Sequence, residues 1–149
     1  MNSVVVRELQ LTDRGAWEEL ARGYKEFYKT PTSDSEYDHV WLRLLERQEI
    51  YSFCAVQNKK VVGIVHYLFH TTVWEPRSCY LQDLFTSTDS RGKGVARSLI
   101  EAVAEHAKDT ECDRLYWNTQ TNNEKARILY DKLAEFRGFI RYDYSVKSS

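Results

Sequence analysis

An apolar run from Tyr80 to Phe85 breaks into a polar turn and then into Arg91-Gly92-Lys93-Gly94-Val95-Ala96, after which a helical pattern starts at once. This strand–turn–helix unit constrains the fold more than any other part of the chain. A helix start presents unpaired backbone N–H groups at the positive end of its dipole. Glycines there let an anionic group come close to the backbone, and Arg91 and Lys93 add positive charge. The unit reads as a pyrophosphate cradle and points to a nucleotide-type cofactor. It is not a P-loop, because Gly-x-x-x-x-Gly-Lys-Ser/Thr is absent. It is not a dinucleotide fingerprint either, because Arg97 stands where the third glycine belongs.

The periodicity around this unit predicts the remaining elements. Val4 to Leu9 reads as a strand, and Thr12 or Asp13 as the cap of a first helix. Ala16, Trp17, Leu20, Tyr24, Phe27 and Tyr28 keep helical spacing to about Lys29. Thr30 to Ser35 is a loop, with Asp34 or Ser35 capping a second helix whose apolar stripe is Val40, Trp41, Leu44 and Leu45. Tyr51 to Val56, Val61 to Phe69 and Ser78 to Phe85 read as successive strands, the first two joined by a turn at Asn58-Lys59-Lys60. A long helix runs from Gly92 to about Lys108, and Arg114 to Asn118 is a short strand. Asn122 or Asn123 caps a fourth helix, and Gly138 to Val146 closes the chain as a strand. The order β-α-α-β-β-β-α-β-α-β predicts an α/β (α+β) fold, residues 1–149 as one domain, on a mixed sheet of about six to seven strands.

Composition narrows the function. At 149 residues, 42% apolar and 29% charged, the chain can bury its own core. A formal net charge of -1 gives no footprint for nucleic acid or an anionic membrane. No apolar run approaches ~18 residues and no charged-then-apolar leader opens the chain, so a cytoplasmic location is expected. Cys54, Cys79 and Cys112 are odd in number and widely spaced. They fit neither a disulfide framework nor a zinc site, and no metal is expected.

The element order, with Arg91 to Ala96 at the turn before the third helix, resembles the GNAT family of acyl-CoA-dependent N-acetyltransferases. The family signature Gln/Arg-x-x-Gly-x-Gly/Ala is matched with Ala96 in the last place. Leu81 to Leu99 and Tyr116 to Tyr130 carry the most specific likeness. The run from Gly63 to Trp74, and Leu115-Tyr116-Trp117-Asn118-Thr119 followed by Asn122 and Tyr130, resemble the branch related to histone and polyamine acetyltransferases. Diamine acetyltransferases are similar through Tyr80-Leu81-x-Asp83-Leu84 and Tyr24-x-x-Phe27-Tyr28.

The resemblance implies acetyl-CoA as cosubstrate and a small primary amine as acceptor. Backbone N–H groups of Gly92, Lys93, Gly94, Val95 and Ala96 would bind the pyrophosphate, helped by Arg91 and Arg97. The fourth strand would carry a bulge and splay from the fifth. Backbone groups of Leu84, Phe85 and Thr86 would hold the pantetheine arm, with an N–H near Leu84 or Phe85 polarising the thioester carbonyl. Asn122 or Asn123 would also bond the arm, and Tyr130 would protonate the departing thiolate. The general base stays open between Asp83, a water and one of His66 and His70. Gln82 stands where diamine acetyltransferases carry an acidic residue, and on a regular strand only one of Gln82 and Asp83 faces the cleft. Tyr24, Tyr28, Glu26 and Asp83 are the acceptor-binding candidates; Trp41 reads as core. Gly138-Phe139 follows Tyr130 four residues later than the family pattern has it. That places the final strand where it can pair with a second subunit, and a homodimer is expected. A non-catalytic CoA-sensing domain and a longer acyl donor are the other readings.

Overall fold

The computed structural model describes residues 3–147. The chain divides into two compact units, one ending at Asn118 and one beginning at Thr119.

The first unit is a sheet of five strands in spatial order β1-β2-β3-β4-β5: β1 Val5–Glu8, β2 Ile50–Gln57, β3 Lys60–His70, β4 Ser78–Thr86 and β5 Arg114–Tyr116. The first four pair antiparallel, and β5 joins β4 in parallel. That parallel pair needs a crossover, supplied by helix α3, Val95–Asp109. Helices α1, Arg14–Phe27, and α2, Asp34–Glu46, lie between β1 and β2 in the chain. The turn between β2 and β3 has Asn58 and Lys59 both at positive φ, 52° and 62°, as a tight two-residue hairpin requires.

The alternation along β3 sorts its side chains onto two faces. Ile64 joins Trp17, Leu20, Ala21, Tyr37, Trp41 and Leu44 in the core beneath α1 and α2. Gly63 faces α3, where a Cβ would stand 2.8 Å from Val95 and 3.0 Å from Leu99. The missing side chain at Gly63 thus lets α3 settle against the sheet on Val95, Leu99 and Val103, all buried.

One expected cap moves and another holds its place without bonding into its helix. Ser33, not Asp34 or Ser35, caps α2: its hydroxyl accepts from the Glu36 N–H at 3.3 Å while the Ser33 N–H donates to the Glu36 carboxylate at 2.7 Å. Asp13 precedes α1, but its carboxylate accepts from Arg7 at 2.7 and 3.1 Å and from the Gln10 N–H at 2.7 Å. Asp13 thus keeps the N-cap position of α1, but its side chain ties β1 to the helix entry and closes the short turn before it instead of bonding into α1.

The second unit holds helix α4, Glu124–Leu133. Asn123 stands at its N-cap position, and its amide donates to the Thr119 hydroxyl at 3.1 Å. The expected strand from Gly138 to Val146 does not form among the described residues. Alternation is a pattern for a half-buried strand, but a neighbour must take the backbone groups, and Ile140, Tyr142, Tyr144 and Val146 all lie exposed.

Candidate active site

Between β3 and β4 the pairing slips by one residue. His66 faces Asp83 while Tyr67 faces Leu81, so Gln82 is the extra residue of a β-bulge on β4. The bulge breaks strict alternation, and both Gln82 and Asp83 line a cavity of about 380 Å³ beneath α1 and α2. The expectation that only one of them turns that way is corrected. Trp17, Tyr24 and Lys25 of α1, Glu36 and Arg43 of α2, His66 and Phe85 share the lining.

A hydrogen-bonded chain runs along one wall. The Trp17 indole N–H donates to His66 Nε2 at 3.0 Å, and His66 Nδ1 lies 2.9 Å from Asp83 Oδ2. An indole nitrogen can only donate, so Nε2 is the acceptor and the ring proton sits on Nδ1, donated to the carboxylate. The Tyr24 hydroxyl donates to Asp83 as well. Burial raises the Asp83 carboxyl, but the bonds from His66 and Tyr24 and the charge of Lys25 outweigh it, leaving the group below its ordinary value. Burial first, and the Asp83 charge second, raise the hydroxyls of Tyr24 and Tyr28. Burial also pushes the thiols of Cys54 and Cys79 up, to about 11 and about 12, so neither is a ready nucleophile.

Asp13 is lowered too, chiefly by its bond from Arg7. A carboxyl depressed in the folded state contributes stability that is complete above its unfolded value and lost as pH falls through the folded one. The urea midpoint is therefore expected to fall between about pH 5 and about pH 3, and to fall less in Asp13→Asn. Equal pH dependence in the two proteins would contradict this role for Asp13.

The pairing of β4 with β5 lasts three rungs, Ser78↔Arg114, Cys79↔Leu115 and Tyr80↔Tyr116. From Leu81 to Thr86, β4 runs on beyond the end of β5, and among the described residues no strand pairs with that edge. Past β4 the chain turns through Thr88–Ser90 into the glycine pair. Gly92 and Gly94 hold φ of 79° and 80°, the left-handed region that only glycine enters without strain. A Cβ at either would meet nothing within 4 Å, so the glycines answer to backbone conformation and not to crowding. Helix α3 begins at Val95, later than the expected Gly92, and among the described residues no side chain caps it. Its first-turn N–H groups face an exposed loop that carries Arg91 and Lys93. Arg91 lies over the Phe85 ring, 5.4 Å from its centroid, while Arg97 pairs with Glu101 at 2.8 Å.

Residues 16–136 match the model of the acetyltransferase (GNAT) family. The chain belongs to the GNAT acetyltransferase family. It is an acetyl-CoA-dependent N-acetyltransferase. Among GNAT relatives, D-amino-acid N-acetyltransferase HPA3 of Saccharomyces cerevisiae is 30% identical over 135 residues, 88% of this chain and 84% of that one. Thialysine N-epsilon-acetyltransferase of Bos taurus is 35% identical over 77 residues, 52% of this chain and 45% of that one. A structure of aminoglycoside N-acetyltransferase AAC(6')-Iy in complex with CoA shares the fold, with a TM-score of 0.85 at 17% identity over 99% of this chain and 97% of that one.

Within this GNAT fold, the expected site residues fall into groups. Tyr24 and Asp83 line the cavity, and Tyr28 stacks on Tyr24 with ring centroids 4.8 Å apart. Glu26 does not line it; it lies exposed on α1, and Glu36 of α2 supplies the second carboxylate. Trp41 is core. His70 bonds the Tyr116 hydroxyl at 2.7 Å and the Thr71 carbonyl at 3.0 Å, outside the lining. Leu84 pairs with Val65 and Thr86 with Gly63, so their side chains turn to the α3 face. Asn122 and Tyr130 belong to the second unit. Lys25, Glu36, Arg43 and Trp17 were missed as site residues by sequence reasoning.

Proposed function

We propose that the protein acetylates the primary amine of a small zwitterionic acceptor, with acetyl-CoA and the amine bound together. The observation that carries this is the carboxylate of Asp83, partly buried at the bulge, lining the cavity and bonded by His66 and Tyr24, which hold it below its ordinary value. A desolvated carboxylate is a strong partner for an ammonium group. Lys25 and Arg43 balance Glu36 and Asp83 in the lining, which favours an amino acid over a polyamine carrying several positive charges.

Backbone groups of Leu84, Phe85 and Thr86 hold the pantetheine arm along the edge that β5 leaves unpaired, and an N–H near Leu84 or Phe85 polarises the thioester carbonyl. Backbone N–H groups from Gly92 to Ala96, spanning the glycine turn and the start of α3, hold the pyrophosphate with Arg91 and Lys93. The open glycine turn and the uncapped helix start suit an anion, and Arg97, paired with Glu101, adds the least. Asn122 bonds the arm. The anchored ammonium gives a proton to water, and its nitrogen then bonds to the acetyl carbonyl carbon. The C–S bond breaks, the thiolate takes a proton from the Tyr130 hydroxyl, and the proton shed by the new amide nitrogen restores Tyr130, a role that rests on the family resemblance. Direct transfer is favoured over a cysteine-bound acyl group because burial raises the Cys54, Cys79 and Cys112 thiols.

The test is CoA-thiol release from acetyl-CoA against L- and D-amino acids, polyamines and aminoglycosides. Turnover with amino acids supports the reading; turnover with polyamines alone would replace the acceptor class, and none with any amine would sink it. The alternating, exposed apolar residues from Ile140 to Val146 favour a homodimer built by strand pairing with a second copy. Light scattering is expected to give twice the monomer mass at micromolar concentration, and a monomer mass would rule it out.

A further inference from the structure

We infer that His66 is a positioning residue, locked by Trp17 in the Nδ1–H form so that it always presents a donor to Asp83 and aims the remaining carboxylate oxygen at the acceptor ammonium. This rests on the reading of Asp83 as the ammonium anchor.

Three observations support it. The register puts His66 directly across from Asp83. The two ring nitrogens are both engaged, Nε2 by Trp17 at 3.0 Å and Nδ1 by Asp83 at 2.9 Å. Trp17 itself is 1% exposed and packed against Tyr37 and Trp41, so its N–H direction is fixed by the core. An imidazole next to a reactive cleft is commonly read as a general base. Here the lone pair of Nε2 already accepts from an indole, which leaves no basic nitrogen for the amine. What the ring supplies is orientation. Asp83 Oδ2 is held by His66, and the carboxylate receives Tyr24 as well. The carboxylate so held lines the cavity, and its direction is set through two side chains by the aromatic core beneath α1. The remaining charged groups of the lining, Lys25, Glu36 and Arg43, come from the two helices and not from the sheet.

The first measurement is the tautomer. Long-range nitrogen–proton NMR on ¹⁵N-histidine-labelled protein at neutral pH should show His66 neutral with its proton on Nδ1. A proton on Nε2, or a charged ring, overturns the inference whether or not any amine is turned over, so its failure is distinct from failure of the proposed function. The second measurement is kinetic. His66→Phe keeps a ring and removes the donor, and should raise KM for the amine about tenfold with kcat within about threefold. His66→Asn places an amide N–H where Nδ1–H stood and should recover most of that loss. Unchanged KM in His66→Phe, or an Asn variant no better than Phe, overturns the assignment. Trp17→Phe keeps an aromatic ring in the core but removes the indole donor, and should let the proton redistribute between the ring nitrogens. An undiminished Nδ1–H form in that variant would show that Trp17 does not set it.

Discussion

Replacing Tyr130 with Phe is expected to lower kcat about 100-fold while leaving acetyl-CoA affinity within about twofold. The substitution keeps the ring and deletes one hydroxyl, so helix α4 retains its packing. If that hydroxyl protonates the leaving thiolate, its loss acts only where charge develops on sulfur. The KM for the amine should then stay near the wild-type value. Steady-state kinetics and calorimetric titration of acetyl-CoA separate the two quantities. Unchanged kcat would remove Tyr130 from the chemistry, and a parallel loss of acetyl-CoA binding would make it a binding residue instead.

Asp83→Asn is expected to act in the complementary way. It removes the charge proposed to hold the ammonium but keeps an oxygen that can accept from His66 Nδ1–H. A hydrogen bond to a charged partner contributes about 1.5–3 kcal/mol, so KM for the amine should rise about 10- to 100-fold with a smaller change in kcat. Varying the amine at saturating acetyl-CoA reads this directly. A KM that does not move would mean that the ammonium is held elsewhere, Glu36 being the other carboxylate in the lining.

The parts of this protein that were legible in its sequence are those whose causes are local. The turn into a helix around Gly92 and Gly94 was legible because the apolar run stops and a helical period starts, and the structure adds the left-handed backbone at both glycines. The three central strands follow from alternation, and the Asn58 turn from its own backbone preference. Ser33 could have been found, since Glu36 three residues on completes a reciprocal cap, but the neighbouring Asp34 and Ser35 are equally good cap residues taken singly. The Trp17–His66 contact was out of reach: the two residues are 49 apart in the chain, and nothing in either neighbourhood points to the other. His66 and Asp83 are harder still. Counting along from Tyr67↔Leu81 pairs His66 with Gln82, and only the extra residue moves Asp83 into its place. Glu26 failed for a plainer reason, because a helix period fixes which residues share a face but not which face the cavity takes. The last strand failed because the pattern was present and a neighbour was not.

The bulge at Gln82 makes the opening beside β4 a matter of chain length. A bulged strand twists and bends more than a straight one, and β4 parts from β5 right after Tyr80, two residues before the extra one. Deleting Gln82 would keep Asp83 opposite His66 and Leu81 opposite Tyr67, so the core would hardly register the loss. A straightened β4 could then zip further along β5 and close the slot from the side. In a lineage of such chains, a single-codon gain or loss at this position would thus free or cover the strand edge proposed to take the thioester, without changing any side chain proposed for the chemistry.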